Sequence, residues 1–266
     1  MDDGKTRQVS RAASNILVGL LRFAALFFFT IFLFPFLTFE RLIRKRKEAR
    51  LRVSIRHMRF WARVVCRIVG YRVHVIGQPE KGKVLYAPNH QGYADIFALA
   101  SVAPCFFVPK GDMASWPLVG FMVRQTGHVF SSRRRAAKDL KTTASAIAER
   151  LKNACPVCVF LEGASTGGDA MLPFRPSFLQ AALDTDAAIQ PVAIRYFPKK
   201  QDVLVSEDVA YWRPEHDFLK HIIRHLGLGK TDVQIIFCKP IDPAGHERKA
   251  LAVAVQAEVE KALKII

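Results

Sequence analysis

One long apolar segment near the amino terminus constrains this chain more than any other feature. Ile16 to Phe39, ILVGLLRFAALFFFTIFLFPFLTF, holds 24 residues, of which only Arg22 is charged. A helix of that length can cross the hydrocarbon core of a bilayer, which is about 30 Å thick. Pro35 within the segment favours a bent or re-entrant insertion instead. Both arrangements predict membrane association, and the sequence leaves the choice between them open.

A strongly basic segment follows directly. Glu40 to Arg63 contains ten Lys or Arg residues and two Glu, a bias that keeps this end of the membrane segment in the cytoplasm. Over residues 41–69 arginines recur at helical spacing on one face and apolar residues on another, which is typical of a helix in the membrane interface. A core-packing helix with a solvated basic face is the alternative. We therefore predict a membrane-anchoring segment over 1–70, with an apolar helix 16–39 and a basic amphipathic helix 41–69.

The overall charge favours an anionic partner. The chain has a formal net charge of +17, which suits nucleic acid or the anionic face of a membrane. The sequence contains no recognisable nucleic-acid-binding module, so membrane lipids are the expected partner and nucleic acid is not. The five cysteines are odd in number and lie mostly in apolar surroundings, as expected for reduced thiols on the cytoplasmic side.

Residues 71–266 alternate short apolar runs with helical patterns, which predicts one α/β domain with a mixed, largely parallel sheet flanked by helices. The strand candidates are YRVHVIG, KVLYAPN, PCFFVPK, GHVFS, PVCVFLEG, AIQPVAIRYF and VQIIFCKPI. The helix candidates are 95–102, 116–126, 136–153, 178–185, 216–225 and 246–263. Within the sixth strand candidate, Pro191 indicates an edge position or a strand start.

His90 and Asp95 are the first candidate site residues. His90 follows the strand pattern VLYAP, and Asp95 falls near the first turn of the next helix. In such a fold ligands gather where strands end and helices begin. A loop imidazole with a nearby carboxylate can act as a general base with its orienting group. Asp95 could equally cap its helix, and spacing alone does not decide.

Three later stretches add to this pair. GHVFSSRRR (127–135) ends a strand candidate with arginines suited to a phosphate, and VFLEGASTGG (159–168) places Glu162 at a strand end before small residues. The third of these stretches is QPVAI (190–194). Together with NHQGYAD (89–95), the three stretches resemble the four motifs of the glycerolipid acyltransferases of the lysophosphatidate acyltransferase type. Those motifs are N-H-x4-D, F-x-x-R, F-P-E-G-T-R-S and V-P-V-A-I. The resemblance covers roughly residues 71–241, with all four motifs in order.

The resemblance implies direct transfer of an acyl group from an acyl thioester to a lysolipid hydroxyl, without metal or cofactor. His90 would be the general base and Asp95 its orienting group. Arg133 would bind the anionic head of the acceptor, Glu162 and Gly163 would shape the same pocket, and Lys110 would stabilise charge in the intermediate. The enzyme would work at the cytoplasmic face of the inner membrane. A thioesterase or a non-catalytic lipid-binding protein is the alternative.

Two departures from the motifs concern the acceptor. Ala164 and Ser165 replace the Thr and Arg of the third motif, which removes one guanidinium group. The continuation GGDAMLPFRPSF (167–178) is similar to the branch that acylates lyso-ornithine lipid, and Arg175 could supply the missing charge. Lysophosphatidate is the default acceptor and lyso-ornithine lipid the alternative.

The sequence also suggests the donor. Arg133, Arg134, Arg135, Lys138 and Lys141 form a basic run that could dock acidic acyl carrier protein, with coenzyme A as the alternative carrier. His221 and His225 have the spacing of a helical metal pair, but we interpret them as part of a basic surface helix.

Overall fold

The computed structural model describes residues 14–115, 119–131, 137–168, 170–209 and 217–264. Two antiparallel helices precede an α/β domain. The helices are α1 (Ile16–Leu42), α2 (Lys47–Val69), α3 (Ala94–Val102), α4 (Val119–Thr126), α5 (Ala137–Lys152), α6 (Gln180–Leu183), α7 (Phe218–Leu226) and α8 (Arg248–Lys264). The strands are β1 (Tyr71–Ile76), β2 (Val84–Pro88), β3 (Phe106–Phe107), β4 (Val157–Cys158), β5 (Ala188–Pro198) and β6 (Thr231–Phe237).

The described strands form one six-stranded sheet in the order β1-β6-β5-β2-β4-β3. Only the β5–β6 pair is antiparallel, and the other neighbouring pairs are parallel. Apolar side chains of α2, α3 and α7 cover one face of the sheet, and those of α5, α6 and α8 cover the other. The predicted fold class, a mixed and largely parallel sheet flanked by helices, is confirmed.

The amino-terminal helices differ in their bounds from the prediction. α1 continues through Pro35 to Leu42, and α2 begins at Lys47 and not at residue 41. The last turns of α1 are held against α2 because Glu40 pairs with Arg56 and His57 of that helix. Nearer the amino end of α1, the indole N–H of Trp61 donates to the hydroxyl of Thr30 over 3.0 Å. The two helices therefore pack side by side along most of the length of α1.

α1 is the only helix in the described part of the chain that is long and apolar enough to cross a membrane. Only 6% of its most apolar 18-residue stretch is buried, which distinguishes it from the core helix of a soluble domain. Its exposed face is lined with large apolar side chains, among them Leu17, Leu21, Phe28, Phe32, Phe36 and Phe39. Such a continuous apolar surface marks a membrane or protein contact.

Two strand predictions were wrong in detail. Residues 127–131 form no strand. Val129 and Ser131 donate backbone N–H groups to the carbonyls of Phe107 and Pro109, but these contacts amount to one isolated bridge, between Ser131 and Lys110. The ring of His128 accepts the N–H of Phe107 here, in place of a regular backbone ladder. Pro191 lies in β5, a central strand. It is tolerated because the β5–β6 ladder begins only at the next residue, Val192.

Candidate active site

The site is built at the carboxyl edge of the sheet, where the neighbouring parallel strands β2 and β4 end. His90 follows β2 by two residues, and Asp95 lies in the first turn of α3. Asp95 is fully buried, and its Oδ2 lies 2.8 Å from Nδ1 of His90. The same oxygen accepts the backbone N–H groups of Gln91 and Gly92. The third group facing this oxygen is Nδ1 of His90, and the oxygen accepts a hydrogen bond from it as well. Nδ1 therefore carries the ring proton, and Nε2 is left as the basic nitrogen.

The imidazole of His90 is held from one side by Phe160. The two rings stack with their centroids 3.9 Å apart and their planes 21° from parallel. The side chain of His90 is 18% exposed, and within the described residues Nε2 has no hydrogen-bond partner. An oriented imidazole with one open nitrogen can accept a proton from a substrate hydroxyl.

Glu162 ties two loops together beneath the histidine. Its Oε1 accepts the backbone N–H of His90 over 2.6 Å, and its Oε2 accepts that of Leu172 over 2.8 Å. The side chain is almost completely buried. Burial raises the pKa of the Glu162 carboxyl, while the two N–H donors oppose that shift. Glu162 is thus hydrogen-bonded directly to the backbone of His90 and joins the His90 loop to the segment at Leu172.

The loop after Glu162 lies directly on the His90 loop. Thr166 donates its backbone N–H to the carbonyl of His90, and Gly167 donates to that of Gln91. Gly163 has a φ of +72°. A Cβ built on Gly163 would lie 3.2 Å from the guanidinium of Arg175, so the structure brings Arg175 against the third motif.

The other predicted site residues are placed as follows. Lys110 is exposed, and its backbone pairs with Ser131 in the second motif. Arg133 lies outside the described residues, as do Arg134 and Arg135. His90, Asp95, Glu162, Gly163 and Arg175 are therefore the predicted residues that the structure gathers around one loop.

Sequence reasoning missed two contributions to the site, one from Asn89 and one from Tyr196 of β5. Asn89 pairs with the backbone of Ile194, donating to its carbonyl and accepting its N–H. This joins the first motif to the fourth. Tyr196, two residues further along β5, donates its hydroxyl to Oδ1 of Asp95 over 2.7 Å. The four motifs give no signal for Tyr196, whereas Asn89 is itself part of the N-H-x4-D pattern.

His221 and His225 do not form the surface helix that the sequence suggested. Both are buried on the inner face of α7. His225 lies between two hydroxyl groups, with Nδ1 2.7 Å from Tyr93 and Nε2 2.7 Å from Tyr71. Burial lowers the pKa of His225 to about 3, and the neighbouring His221 adds to the effect. Within the described residues no metal-binding group of three or more His, Cys, Asp or Glu forms.

An imidazole oriented by a buried carboxylate at the carboxyl edge of an α/β sheet is an arrangement that general-base enzymes use. A family model described as Acyltransferase matches residues 72–195. The lyso-ornithine lipid O-acyltransferase of Pseudomonas aeruginosa is 30% identical over 209 residues, which are 77% of this chain and 77% of that protein. The chain belongs to the acyltransferase family, and the prediction of an enzyme that acylates lysolipids is confirmed.

Two further similarities bear on the fold and the acceptor. The 1-acyl-sn-glycerol-3-phosphate acyltransferase of Neisseria gonorrhoeae is 36% identical over 114 residues, 43% of this chain and 44% of that protein. The crystal structure of the 1-acyl-sn-glycerophosphate acyltransferase PlsC from Thermotoga maritima aligns with a TM-score of 0.70, at 20% identity, over 94% of this chain and 95% of that one. That likeness extends over the amino-terminal helices as well as the sheet.

Proposed function

We propose that this acyltransferase transfers a fatty acyl group to lyso-ornithine lipid. The observation that carries the proposal is the contact between Gly163 and the guanidinium of Arg175. Ser165 stands where the third motif has an arginine, beside Ala164, and Arg175 returns a guanidinium to the same loop from ten residues further along the chain. The headgroup carboxylate of an ornithine lipid needs one such partner, whereas a phosphate monoester favours several. The extent of the match to the Pseudomonas aeruginosa protein supports the same acceptor.

In the proposed mechanism, Nε2 of His90 takes the proton of the acceptor hydroxyl as its oxygen attacks the thioester carbonyl carbon. The tetrahedral intermediate then collapses, the C–S bond breaks, and the leaving thiolate receives the proton from His90. Asp95 keeps Nδ1 protonated and stabilises the imidazolium that forms between the two steps. General-base catalysis of this kind contributes about 10²–10⁴ in rate. Lys110 would stabilise negative charge on the intermediate, and Arg133 with Arg175 would hold the acceptor head.

The alternative acceptor is 1-acylglycerol-3-phosphate. It is favoured by the Neisseria gonorrhoeae relative, whose shorter match has the higher identity. The deciding experiment supplies purified protein with a labelled acyl thioester and a panel of both lysolipids. We expect the higher kcat/KM with lyso-ornithine lipid, and Arg175→Ala raises KM for that lipid. A preference for the phosphate-bearing lipid contradicts the acceptor assignment. His90→Ala abolishes transfer to every acceptor, and retained transfer contradicts the role of the base.

We propose acyl carrier protein as the donor. Lys138 and Lys141 are exposed near the start of α5, directly after the arginines at 133–135 in the sequence. A cluster of like charge on one helix end steers an acidic partner and acts mainly on the association rate. Reversing Lys138 and Lys141 to Glu raises KM for acyl carrier protein several-fold at low salt and leaves KM for acyl-coenzyme A less changed. An unchanged KM for acyl carrier protein contradicts this docking surface.

We further propose that the protein sits on the cytoplasmic face of the inner membrane with α1 embedded in one leaflet. The first residues of α1 contact the domain, since Asn15 donates its backbone N–H to the carbonyl of Gly227 over 3.1 Å. Gly19 packs on the backbone of Ile223, where a Cβ would lie 2.2 Å from the carbonyl oxygen. With Glu40 held by α2 at the other end, both ends of α1 stay on the side of the domain.

Cysteine labelling tests this topology. Ser14→Cys, just before α1, and Lys45→Cys, in the turn after it, are both treated with a membrane-impermeant maleimide. In a leaflet-embedded arrangement both cysteines react in inverted vesicles and neither reacts in intact spheroplasts. Labelling of position 14 from the outside of spheroplasts, with position 45 labelled only in inverted vesicles, contradicts it and indicates a span.

A further inference from the structure

The carboxylate of Asp95 is contacted on both of its oxygens, by groups from two distant parts of the chain. Oδ2 takes the three donors of its own loop, from His90, Gln91 and Gly92. Oδ1 takes the hydroxyl of Tyr196, which lies 101 residues further along on β5. Through the Tyr196 hydrogen bond, strand β5 of the sheet therefore fixes the position of the Asp95 carboxylate.

This contact is closed to solvent. Asp95 has no exposed surface and Tyr196 is 6% exposed. The Tyr196 ring is held in place by Tyr71, whose ring centroid lies 5.7 Å away. Burial, followed by the charge of Asp95, raises the pKa of Tyr196 well above its usual range. The hydroxyl therefore stays protonated at every working pH and can only donate to the carboxylate.

We propose that Tyr196 is a positioning residue for the acyl transfer, which acts on His90 through Asp95. The proposal rests on the proposed role of His90 as the base. A donor on Oδ1 does two things to the pair. It prevents the buried carboxylate from rotating away from Nδ1, and it withdraws negative charge from the oxygen that faces the imidazole. Asp95 then orients His90 without holding the imidazolium so tightly that the proton fails to pass to the leaving thiolate.

Other titratable groups also face this pair, and they constrain the test. They are Tyr71 of β1, Cys66 of α2, Cys158 of β4 and Glu162. Burial raises the pKa of each of them. Tyr71 and Cys66 also act electrostatically on Tyr196 itself. A comparison that changes only the Tyr196 hydroxyl leaves all four groups in place, so their effect on Asp95 and His90 is common to both enzymes.

The test removes the hydroxyl and keeps the ring. Tyr196→Phe in the full-length enzyme, in detergent micelles, is assayed for kcat and KM with both substrates between pH 5 and 9. We expect kcat to fall about 10–100-fold, as for loss of a hydrogen bond to a charged group, with both KM values within two-fold of the wild type. The acid limb of the kcat/KM profile moves to higher pH by about 0.5–1 unit, because the unshielded carboxylate holds the imidazolium more tightly.

Tyr86→Phe is the matched control. Tyr86 is another buried tyrosine, on β2, and its hydroxyl donates to the carbonyl of Glu80, away from the site. A purely structural role for the Tyr196 hydroxyl gives the two variants the same modest loss and an unmoved acid limb, and that result overturns the proposal. If Tyr196→Phe fails to fold, 3-fluorotyrosine at position 196 keeps the ring and donates from a more acidic hydroxyl. The acid limb then moves to lower pH, and an unmoved limb overturns the proposal.

His90→Ala, measured in parallel, separates this proposal from the one on which it rests. If the His90 variant is inactive and Tyr196→Phe behaves like Tyr86→Phe, only the positioning role fails. If the His90 variant stays active, the assignment of the base fails, and the positioning role fails with it.

Discussion

Arg22, the only charged residue in the apolar segment of α1, donates from Nη1 to the carbonyl oxygen of Leu226 over 2.7 Å. The same nitrogen lies 3.2 Å from the carbonyl oxygen of Val69. Leu226 and Val69 are the last residues of α7 and α2. Carbonyl groups at helix ends have no partner within their helix and carry the negative end of the helix dipole. One guanidinium therefore fastens the membrane helix to the ends of two domain helices.

Arg22→Leu tests this attachment. The substitution makes α1 more apolar, and thus a better membrane segment by composition, but it leaves two helix ends without their charged donor. We expect the melting temperature in detergent to fall by several degrees, from a loss of about 1.5–3 kcal/mol. Arg72→Leu, at an exposed position of β1, is the control and leaves it nearly unchanged. Equal melting temperatures in the two variants contradict the attachment.

Glu162→Gln tests the link between the two loops of the site. The amide keeps one acceptor oxygen but turns an NH₂ group toward either the N–H of His90 or that of Leu172, so one of the two hydrogen bonds is replaced by two opposed donors. We expect kcat to fall by about 10–100-fold, for a loss of roughly 1.5–3 kcal/mol at the His90 backbone. Steady-state kinetics across acceptor concentrations measures it. A raised acceptor KM with an unchanged kcat indicates instead that Glu162 contacts the lipid.

Much of the fold could be predicted from the sequence because hydrophobic periodicity reports burial directly. The strands around the site, β2, β4 and β5, coincide with short apolar runs. What the pattern could not predict depends on contacts between distant residues. The apolar stretch at 127–131 has a strand's composition, but a histidine ring takes the N–H of Phe107 that a neighbouring strand would need. The central strand β5 likewise tolerates Pro191 because its hydrogen-bond ladder with β6 begins only at Val192, which the sequence pattern does not show.

The residues of the site likewise divide into those that the sequence predicts and those whose role depends on contacts between distant residues. His90, Asp95, Glu162 and Gly163 belong to short motifs in which the spacing itself carries the chemistry. Tyr196 lies in a strand where a buried aromatic residue is ordinary. Its contact with Asp95 depends on the pairing of β5 with β2. The burial of His225 could not be inferred either, since its partners Tyr71 and Tyr93 lie more than 130 residues earlier.

Gly163→Ala tests the contact with Arg175, and the chain contains a matched control. Gly163 and Gly245 both have a φ of +72°, and a Cβ on Gly245 meets nothing within 4 Å. The backbone strain of about 1–2 kcal/mol is thus common to both alanine variants. Only the Gly163 variant presses on the guanidinium, so we expect a several-fold higher acceptor KM in that variant alone. Acceptor titrations of the two variants measure it, and equal KM values contradict a role for this contact.

The burial of His225 predicts how the stability depends on pH. The pKa of His225 is about 3 in the folded protein and about 6.5 in the unfolded chain. The unfolded state therefore binds the extra proton first as the pH falls, so the stability contributed by neutral His225 is complete above about pH 6.5 and is lost progressively below it. At pH 5 the loss is about 2 kcal/mol, or roughly 4–8 °C in melting temperature.

His225→Gln keeps a donor and an acceptor but does not titrate, so its melting temperature falls less between pH 7.5 and pH 5 than that of the wild type. His246→Gln, at an exposed position, retains the full wild-type decrease. An equal decrease in the wild type and in both variants would show that protonation of His225 does not drive the acid sensitivity.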